Sequence, residues 1–238
     1  MGQSGEGHIV KQFDADLMQL HGRVLEMGGL VSDQLSRALK TLDDQDVDAA
    51  RAVIERDRDV NVLELRTDED IAKILARRQP VARDLRLVLA VSKAVTDLER
   101  IGDEAIKIAR MTIEIYGREA SILPGNELLD DLELMGHEAQ HVLRGALEAF
   151  DTMDVDRAMS TLGMQDRVEK TYKAALRRLV TYVMDDSRNV GHMIQIALVA
   201  KALERIADHA RNVSQYVVYC VQGTDIRHAS VHMAQSGR

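Results

Sequence analysis

The stretch Val24–Ala50 reads VLEMGGLVSDQLSRALKTLDDQDVDAA, and Leu132–Ala158 reads LELMGHEAQHVLRGALEAFDTMDVDRA. Placed one above the other at a shift of 108 residues, the two share Met-Gly, two Leu, two Ala and Asp-Val-Asp at matching places. A second pair of segments, LERIGDEA (Leu98–Ala105) and LERIADHA (Leu203–Ala210), matches at a shift of 105 residues. Because the matches recur in the same order, the sequence indicates an internal duplication.

Each half of the chain predicts three long helices, because apolar residues recur three or four positions apart through long segments. Few residues that favour turns interrupt them, since 238 residues include only 15 Gly and 2 Pro. Aromatic residues make up 3% of the chain, which disfavours a β-sandwich or barrel. The predicted helices are 9–42, 46–77 and 84–116, then 126–150, 154–184 and 189–221. Short connections make each set antiparallel, so we expect an all-α fold of two tandem three-helix bundles.

The predicted domains follow from the duplication and from a break at Pro124, in the segment ILPGN. We expect a first three-helix repeat at residues 1–120, a second at 125–222 and a C-terminal tail at 223–238. Asp46 is the expected N-cap of the second helix, because Asp accepts hydrogen bonds from the first free backbone N–H groups.

Composition excludes several classes of function. The formal net charge is −8 and the pI about 5.5, which disfavours direct binding to nucleic acid or to anionic lipid. The single cysteine, Cys220, excludes an internal disulfide and a thiolate metal cluster, and we expect it to pack as a small apolar residue. The sequence shows no leader pattern and no run approaching 18 apolar residues, so we expect a cytoplasmic protein.

Two carboxylate pairs occur at equivalent places in the repeats. Glu99 and Asp103 lie four residues apart, as do Glu204 and Asp208. On a helix this spacing puts both side chains on one face, with Cβ atoms about 5–6 Å apart. The spacing alone fits a solvated face. Its repetition inside Leu-Glu-Arg-Ile-x-Asp strengthens the case for a cation site, and both interpretations stay open at this point.

A second set of oxygen-bearing side chains lies on the preceding helix of each half. These are Asp57 and Asn61 in the first repeat and Gln165 and Glu169 in the second. Oxygen ligands suit hard ions such as Mg²⁺, Mn²⁺, Ca²⁺ or iron. The sequence contains no Gly-rich phosphate loop and no nucleophile elbow. We therefore expect no enzyme activity, and we expect His209, next to Asp208, at the surface.

Several blocks of the sequence are distinctive: MGGLVSDQL at 27–35, RRQPVARDLR at 77–86, VTYVMDDSR at 180–188, both LERI segments and YVVYCVQG at 216–223. Together with the duplication, these blocks resemble the PhoU family of bacterial phosphate-signalling proteins. The resemblance runs from about Phe13 to His228.

The resemblance implies a cytoplasmic homodimer that acts as an adaptor rather than an enzyme. Family members connect the phosphate ABC transporter, through its ATPase subunit, to a PhoR-type histidine kinase. The implied function is negative regulation of the phosphate-starvation (Pho) regulon and restraint of phosphate uptake. Contact with a membrane is implied only through these partners, and contact with nucleic acid is not implied.

The resemblance also implies metal binding, because paired acidic motifs hold metal clusters in some members. Matched position by position, the motifs fall on Asp57, Asn61, Glu99, Asp103, Gln165, Glu169, Glu204 and Asp208. Asn61 and Gln165 are amides where the pattern prefers carboxylates, so we expect weak binding of Mg²⁺, Mn²⁺ or iron. Glu104 and Lys107 also stand where the second repeat has His209 and Asn212.

Two other functions stay open from the sequence. The repeated carboxylates are compatible with a metal-dependent helical-bundle enzyme with redox or hydrolytic activity. A purely structural bundle accounts for the helices but not for the matched carboxylates. Metal content measured together with turnover discriminates the enzyme from the adaptor.

Overall fold

The computed structural model describes residues 4–55, 58–117, 126–185 and 190–226. The regular secondary structure in these ranges is entirely α-helical. The helices are α1 (Ser4–Asp43), α2 (Val47–Glu55), α3 (Arg58–Arg78), α4 (Ala82–Tyr116), α5 (Asn126–Thr152), α6 (Val155–Asp185) and α7 (Val190–Gln222). Within the described ranges, none of the helices combines the length and the apolar character that crossing a bilayer requires.

The predicted all-α fold of two tandem bundles is confirmed. The first bundle contains α1 to α4, and the second contains α5, α6 and α7. The second predicted helix corresponds to α2 and α3, which lie on either side of residues 56–57, outside the described part of the chain. The predicted domain limits stay a prediction, because residues 118–125 and 227–238 also lie outside it.

The core repeats along with the sequence. α1 and α5 each bury an apolar row whose members are three or four residues apart, as an amphipathic helix requires. The matching buried side chains are Val24, Met27, Val31, Leu35 and Ala38 in α1, and Leu132, Met135, Ala139, Leu143 and Ala146 in α5. Cys220 is buried in the same core, as expected, and burial raises the pKa of its thiol.

The same turn ends the first helix of each bundle. Asp46 Oδ1 accepts a hydrogen bond from the backbone N–H three residues later, at 2.9 Å, and Asp154 Oδ1 does the same at 3.0 Å. The residues before these caps, Gln45 and Met153, have φ values of 57° and 50°, in the left-handed region. The cap expected at Asp46 is therefore confirmed, and its equivalent in the second repeat has the same structure.

The two bundles meet reciprocally where α1 crosses α5. A Cβ atom added to Gly28 would lie 2.3 Å from Cδ2 of Leu147, and one added to Gly136 would lie 2.8 Å from Cδ2 of Leu39. Gly28 and Gly136 are equivalent in the repeats, as are Leu39 and Leu147. Each repeat thus places its leucine on the other repeat's glycine, which is the reciprocal pattern of a two-fold interface.

The most extensive helix contact joins α4 to α7, the last helix of each bundle. These two helices carry the repeated carboxylate pairs, so the contact between the bundles also fixes where the pairs lie. In each bundle, the helix that carries the pair also contacts the helix that carries the other predicted ligands: α4 contacts α3, and α7 contacts α6.

Candidate metal centre and the seam between the bundles

The second repeat brings three of its four predicted ligands together. Gln165 Nε2 on α6 donates a hydrogen bond to Asp208 Oδ1 on α7, at 2.7 Å. Glu204, one turn before Asp208, accepts a hydrogen bond from Lys201 Nζ at 2.5 Å. The site thus contains two carboxylates and one amide, with the Lys201 ammonium as the nearest positive charge.

The electrostatics of this site disfavour a charged Asp208. Burial raises the pKa of Asp208, and the neighbouring Glu204 carboxylate raises it further, while Lys201 acts in the opposite direction. The hydrogen bond to Glu204 in turn raises the pKa of Lys201. A bound cation would favour the charged form of Asp208, because an opposite charge nearby offsets desolvation.

The fourth predicted ligand of this repeat is directed elsewhere. Glu169 is exposed, and its Oε1 accepts a hydrogen bond from Lys173 Nζ, one turn later on α6. That hydrogen bond lowers the pKa of Glu169. For Glu169 to bind a cation together with Asp208, its side chain must leave Lys173.

The first repeat holds its carboxylates around an arginine. Arg100 Nε lies 3.3 Å from Glu99 Oε2, and its terminal nitrogen lies 3.5 Å from Asp103 Oδ2. Asn61 lies on α3, the helix next to α4, and is exposed. Asp57 lies outside the described residues, so its place in the predicted set stays a prediction.

Glu64 is a further acidic residue of this face that the sequence analysis did not select. Burial raises the pKa of Glu64, followed by the effect of Asp68; Arg100 lowers it and Asp103 raises it. Glu64 therefore faces the same charges as the predicted ligands. It lies three residues after Asn61, on the same side of α3, but the repeat search missed it because its equivalent is Tyr172.

The donors at both sites fit a hard cation only in part. Gln165 now donates through its amide nitrogen, so binding a cation requires the amide to turn and present Oε1. Lys201 occupies the position beside Glu204 that a cation would take. Among the described residues, no group of three or more His, Cys, Asp or Glu side chains is arranged to hold a metal ion. The metal assignment stays a prediction at both repeats.

A polar cluster that the sequence analysis did not predict joins the bundles. Asp97 on α4 is buried and lies 2.7 Å from His209 Nδ1, 3.0 Å from Asn212 Nδ2 and 2.7 Å from Tyr216 Oη, all on α7. His209 is only a quarter exposed, so the expectation that it lies at the surface is wrong. The equivalent of Asp97 in the second repeat is Ala202, which hides the pairing from a search for repeats.

A second buried acid makes the neighbouring contact along the same seam. Glu104 Oε1 accepts hydrogen bonds from Arg205 on α7, at 3.0 Å, and from Lys107, at 2.7 Å. Arg205 is the repeat equivalent of Arg100, yet Arg100 binds the carboxylates of its own helix. Glu104 and Lys107, which differ from their repeat equivalents His209 and Asn212, are thus part of the contact between the bundles.

Known proteins match the chain over most of its length. A PhoU domain profile matches residues 24–112 and 132–217, one segment in each repeat. The Pseudomonas putida protein named phosphate-specific transport system accessory protein PhoU homolog is 43% identical over 221 residues, covering 93% of this chain and 85% of that protein. The Escherichia coli K12 protein named phosphate-specific transport system accessory protein PhoU is 39% identical, covering 93% and 90%.

Solved structures agree with the sequence matches. The crystal structure of PhoU from Pseudomonas aeruginosa superposes with a TM-score of 0.83 at 42% identity, covering 89% of this chain and all of that one. The phosphate transport system regulatory protein PhoU from Streptococcus pneumoniae gives a TM-score of 0.81 at 27% identity, covering 90% and 99%. Sequence and fold agree over both repeats, and the chain therefore belongs to the PhoU family.

Proposed function

We propose that this chain is an accessory protein of phosphate transport that keeps phosphate-starvation genes repressed when phosphate is plentiful. The observation that carries the proposal is the match over 93% of the chain to proteins named for the phosphate-specific transport system. The chain covers 85% and 90% of those two proteins, so the likeness extends to their whole architecture and not to one shared module.

The proposed partners are the ATPase subunit of a phosphate ABC transporter and a PhoR-type histidine kinase. An adaptor needs two surfaces in a fixed relation, and the seam between the bundles supports such a role. Asp97 and Glu104, both buried on α4, bind side chains of α7 and so hold the two repeats together. The same role includes restraint of phosphate uptake, and it places the protein in the cytoplasm, where both partners expose their soluble parts.

Direct binding tests the adaptor role. Purified chain is immobilised and exposed separately to the ATPase subunit and to the cytoplasmic part of the kinase, and binding is followed by biolayer interferometry. We expect saturable binding to both. If the chain fails to bind one of the two partners, although both are shown to be folded and active, this result would contradict the adaptor role.

The same preparation tests the metal-dependent enzyme as the alternative. Metal content is measured by mass spectrometry, and oxygen consumption and phosphoester hydrolysis are measured with Mg²⁺, Mn²⁺ and iron supplied. The adaptor role predicts no turnover above the protein-free control. Stoichiometric iron together with oxygen consumption would favour the enzyme.

A further inference from the structure

The acidic pair of the second repeat has a positive charge of its own. Lys201, three residues before Glu204 on α7, donates a hydrogen bond from Nζ to Glu204 Oε2 at 2.5 Å. The Glu204 side chain is only 13% exposed, so solvent screens this ion pair less than one at the open surface. Lys201 also acts on the second carboxylate: burial and Glu204 raise the pKa of Asp208, whereas Lys201 lowers it. One ammonium group therefore serves both acids.

An aromatic ring contributes to the position of this ammonium group. Lys201 Nζ lies 5.4 Å from the ring centre of Tyr172 on α6. At this distance the face of a tyrosine ring attracts a cation. Because Glu204 belongs to α7 and Tyr172 to α6, the ammonium group contacts both helices that carry the predicted ligands of this repeat.

The first repeat has a different pair of side chains at these positions. The equivalents of Lys201 and Tyr172 are Thr96 and Glu64, so a threonine replaces the ammonium group and a carboxylate replaces the ring. Thr96 Oγ1 donates a hydrogen bond to the carbonyl oxygen of Ser92, on its own helix. Both repeats bury the same apolar rows, and Lys201 is not part of them. The shared core therefore does not account for a lysine at this position.

The repeated arginine shows why the second pair needs another positive charge. In the first repeat, Arg100 lies 3.3 Å and 3.5 Å from the two carboxylates of the pair on its own helix. Its equivalent, Arg205, donates a hydrogen bond to Glu104 across the seam, at 3.0 Å. The contact between the bundles thus engages the arginine of the second repeat, and Lys201 supplies the charge beside the second pair.

We propose that Lys201 is a built-in counter-ion that competes with a divalent cation for Glu204 and Asp208. The ammonium group and a metal ion are attracted to the same carboxylates and repel each other, so Mg²⁺ or Mn²⁺ must displace Nζ in order to bind. Lys201, and not only the amide at Gln165, then keeps cation binding at the second repeat weak. The proposal goes beyond the adaptor function and does not depend on it, because it concerns only the charges at this site.

Mn²⁺ binding to the purified full chain tests the proposal. Asp103→Asn removes one predicted ligand of the first repeat, and Lys201→Met is then added to this parent variant. Free Mn²⁺ is measured by electron paramagnetic resonance during a titration. We expect Lys201→Met to bind Mn²⁺ at least about tenfold more tightly than the parent, because one repelling charge is removed. Lys201→Arg, which keeps the charge, is the matched control and should leave the affinity unchanged.

Two further variants locate the added ion. Lys201→Gln removes the charge with a different side chain and should give the same gain as Lys201→Met. Adding Glu204→Gln to Lys201→Met should abolish the gain, because the carboxylate that Lys201 released is then absent.

The melting temperature distinguishes a counter-ion from a lysine that only packs against its neighbours. In chelator, Lys201→Met should melt below its parent, because two carboxylates then lie close together without a cation, and Mn²⁺ should restore the difference. A loss that Mn²⁺ does not restore would overturn the proposal. Equal Mn²⁺ affinity of the parent and Lys201→Met, no binding by either, a gain in Lys201→Arg, or a gain that persists after Glu204→Gln would also overturn it.

Discussion

Asp208 has a carboxylate that is half-buried, next to Glu204 and within hydrogen-bonding distance of Gln165. Since burial and Glu204 both raise the pKa of Asp208, its charged form destabilises the folded chain. An acid whose pKa is raised by folding stabilises the fold when protonated, and this contribution is lost as the pH rises through the folded-state pKa. A cation bound beside Asp208 would offset this cost, and that binding stays a prediction.

We predict that Asp208→Asn raises the melting temperature at neutral pH without divalent cations, because no charge is then buried. The gain should shrink as the pH falls, since the wild-type carboxyl group then becomes protonated. Asp166→Asn, at an exposed position of α6, is the control and should change the melting temperature little. A lower melting temperature for Asp208→Asn would contradict this account of the site.

Cation binding gives the complementary prediction. Mg²⁺ or Mn²⁺ at ten times its dissociation constant stabilises a folded protein by about 1.4 kcal/mol, or roughly 3 °C at this chain length. We expect a gain of this order for the wild type by scanning fluorimetry, and most of it should be lost in the Asp103→Asn, Asp208→Asn double variant. Identical melting of the wild type in chelator and in millimolar Mg²⁺ or Mn²⁺ would remove the metal assignment and leave the fold unaffected.

Asp97 supports a prediction about the seam between the bundles. Asp97→Ala removes the shared partner of buried Tyr216 and of half-buried His209 and Asn212, and a stranded buried donor costs about 1–3 kcal/mol before relaxation. We expect the free energy of unfolding, measured in urea, to fall by about 2–4 kcal/mol. Asp97→Asn, which keeps one acceptor oxygen, should lose less. Equal stability of the wild type and Asp97→Ala would show that the cluster contributes little to holding the bundles together.

Individual site residues were only partly predictable from the sequence. The Glu204 and Asp208 pair could be found because it lies within one helix and recurs in the other repeat. The Asp97 and His209 pair could not, because its members belong to different bundles and Asp97 has an alanine as its equivalent. Pairing across a seam depends on the angle at which α4 and α7 pack, which is not encoded in the spacing along either helix.

At the scale of the elements, the helices follow closely from periodicity and capping. Long apolar rows, few Gly and Pro, and the Asp46 cap locate α1 and the start of α2 to within a few residues. What the sequence did not show is how α1 and α5 meet. Gly28 and Gly136 were recognised as repeated residues, but only the crossing explains why both positions lack a side chain.

We predict that Gly28→Ala destabilises the chain, because its new methyl group would overlap Leu147. Overpacking of this kind costs about 1–3 kcal/mol, against a gain of up to about 1 kcal/mol from better helix propensity. Gly22→Ala, also in α1 but with no atom within 4 Å of the added Cβ, is the matched control and should be stabilising. Urea denaturation of both variants measures the difference, and equal effects would contradict the close crossing of α1 and α5.

At the scale of the whole molecule, the described residues form two related helical bundles that pack against each other. Contacts between α1 and α5 and between α4 and α7 tie the repeats together. The repeats share a core but differ outside it. Residues 62–76 of the first repeat contain Glu64, Asp68, Glu69 and Asp70, whereas the equivalent residues 170–184 contain no Asp or Glu. An adaptor of the kind proposed above would therefore have two dissimilar surfaces.

We predict that the purified chain forms a homodimer at micromolar concentration. The expectation comes from the family resemblance, and the core apolar rows are already buried within the bundles. Size-exclusion chromatography with light scattering should give twice the chain mass of 26.6 kDa. A single species at the monomer mass across the concentration range would rule the dimer out under these conditions.

The regulatory role is the central claim, and expression of a phosphate-starvation reporter gene tests it most directly. The reporter is measured in phosphate-rich medium in the wild-type strain, in a strain that lacks this chain, and in the same strain with the chain restored. We predict low expression in the first, high expression in the second and a return to low expression in the third. Equally low expression in all three strains would contradict the claim.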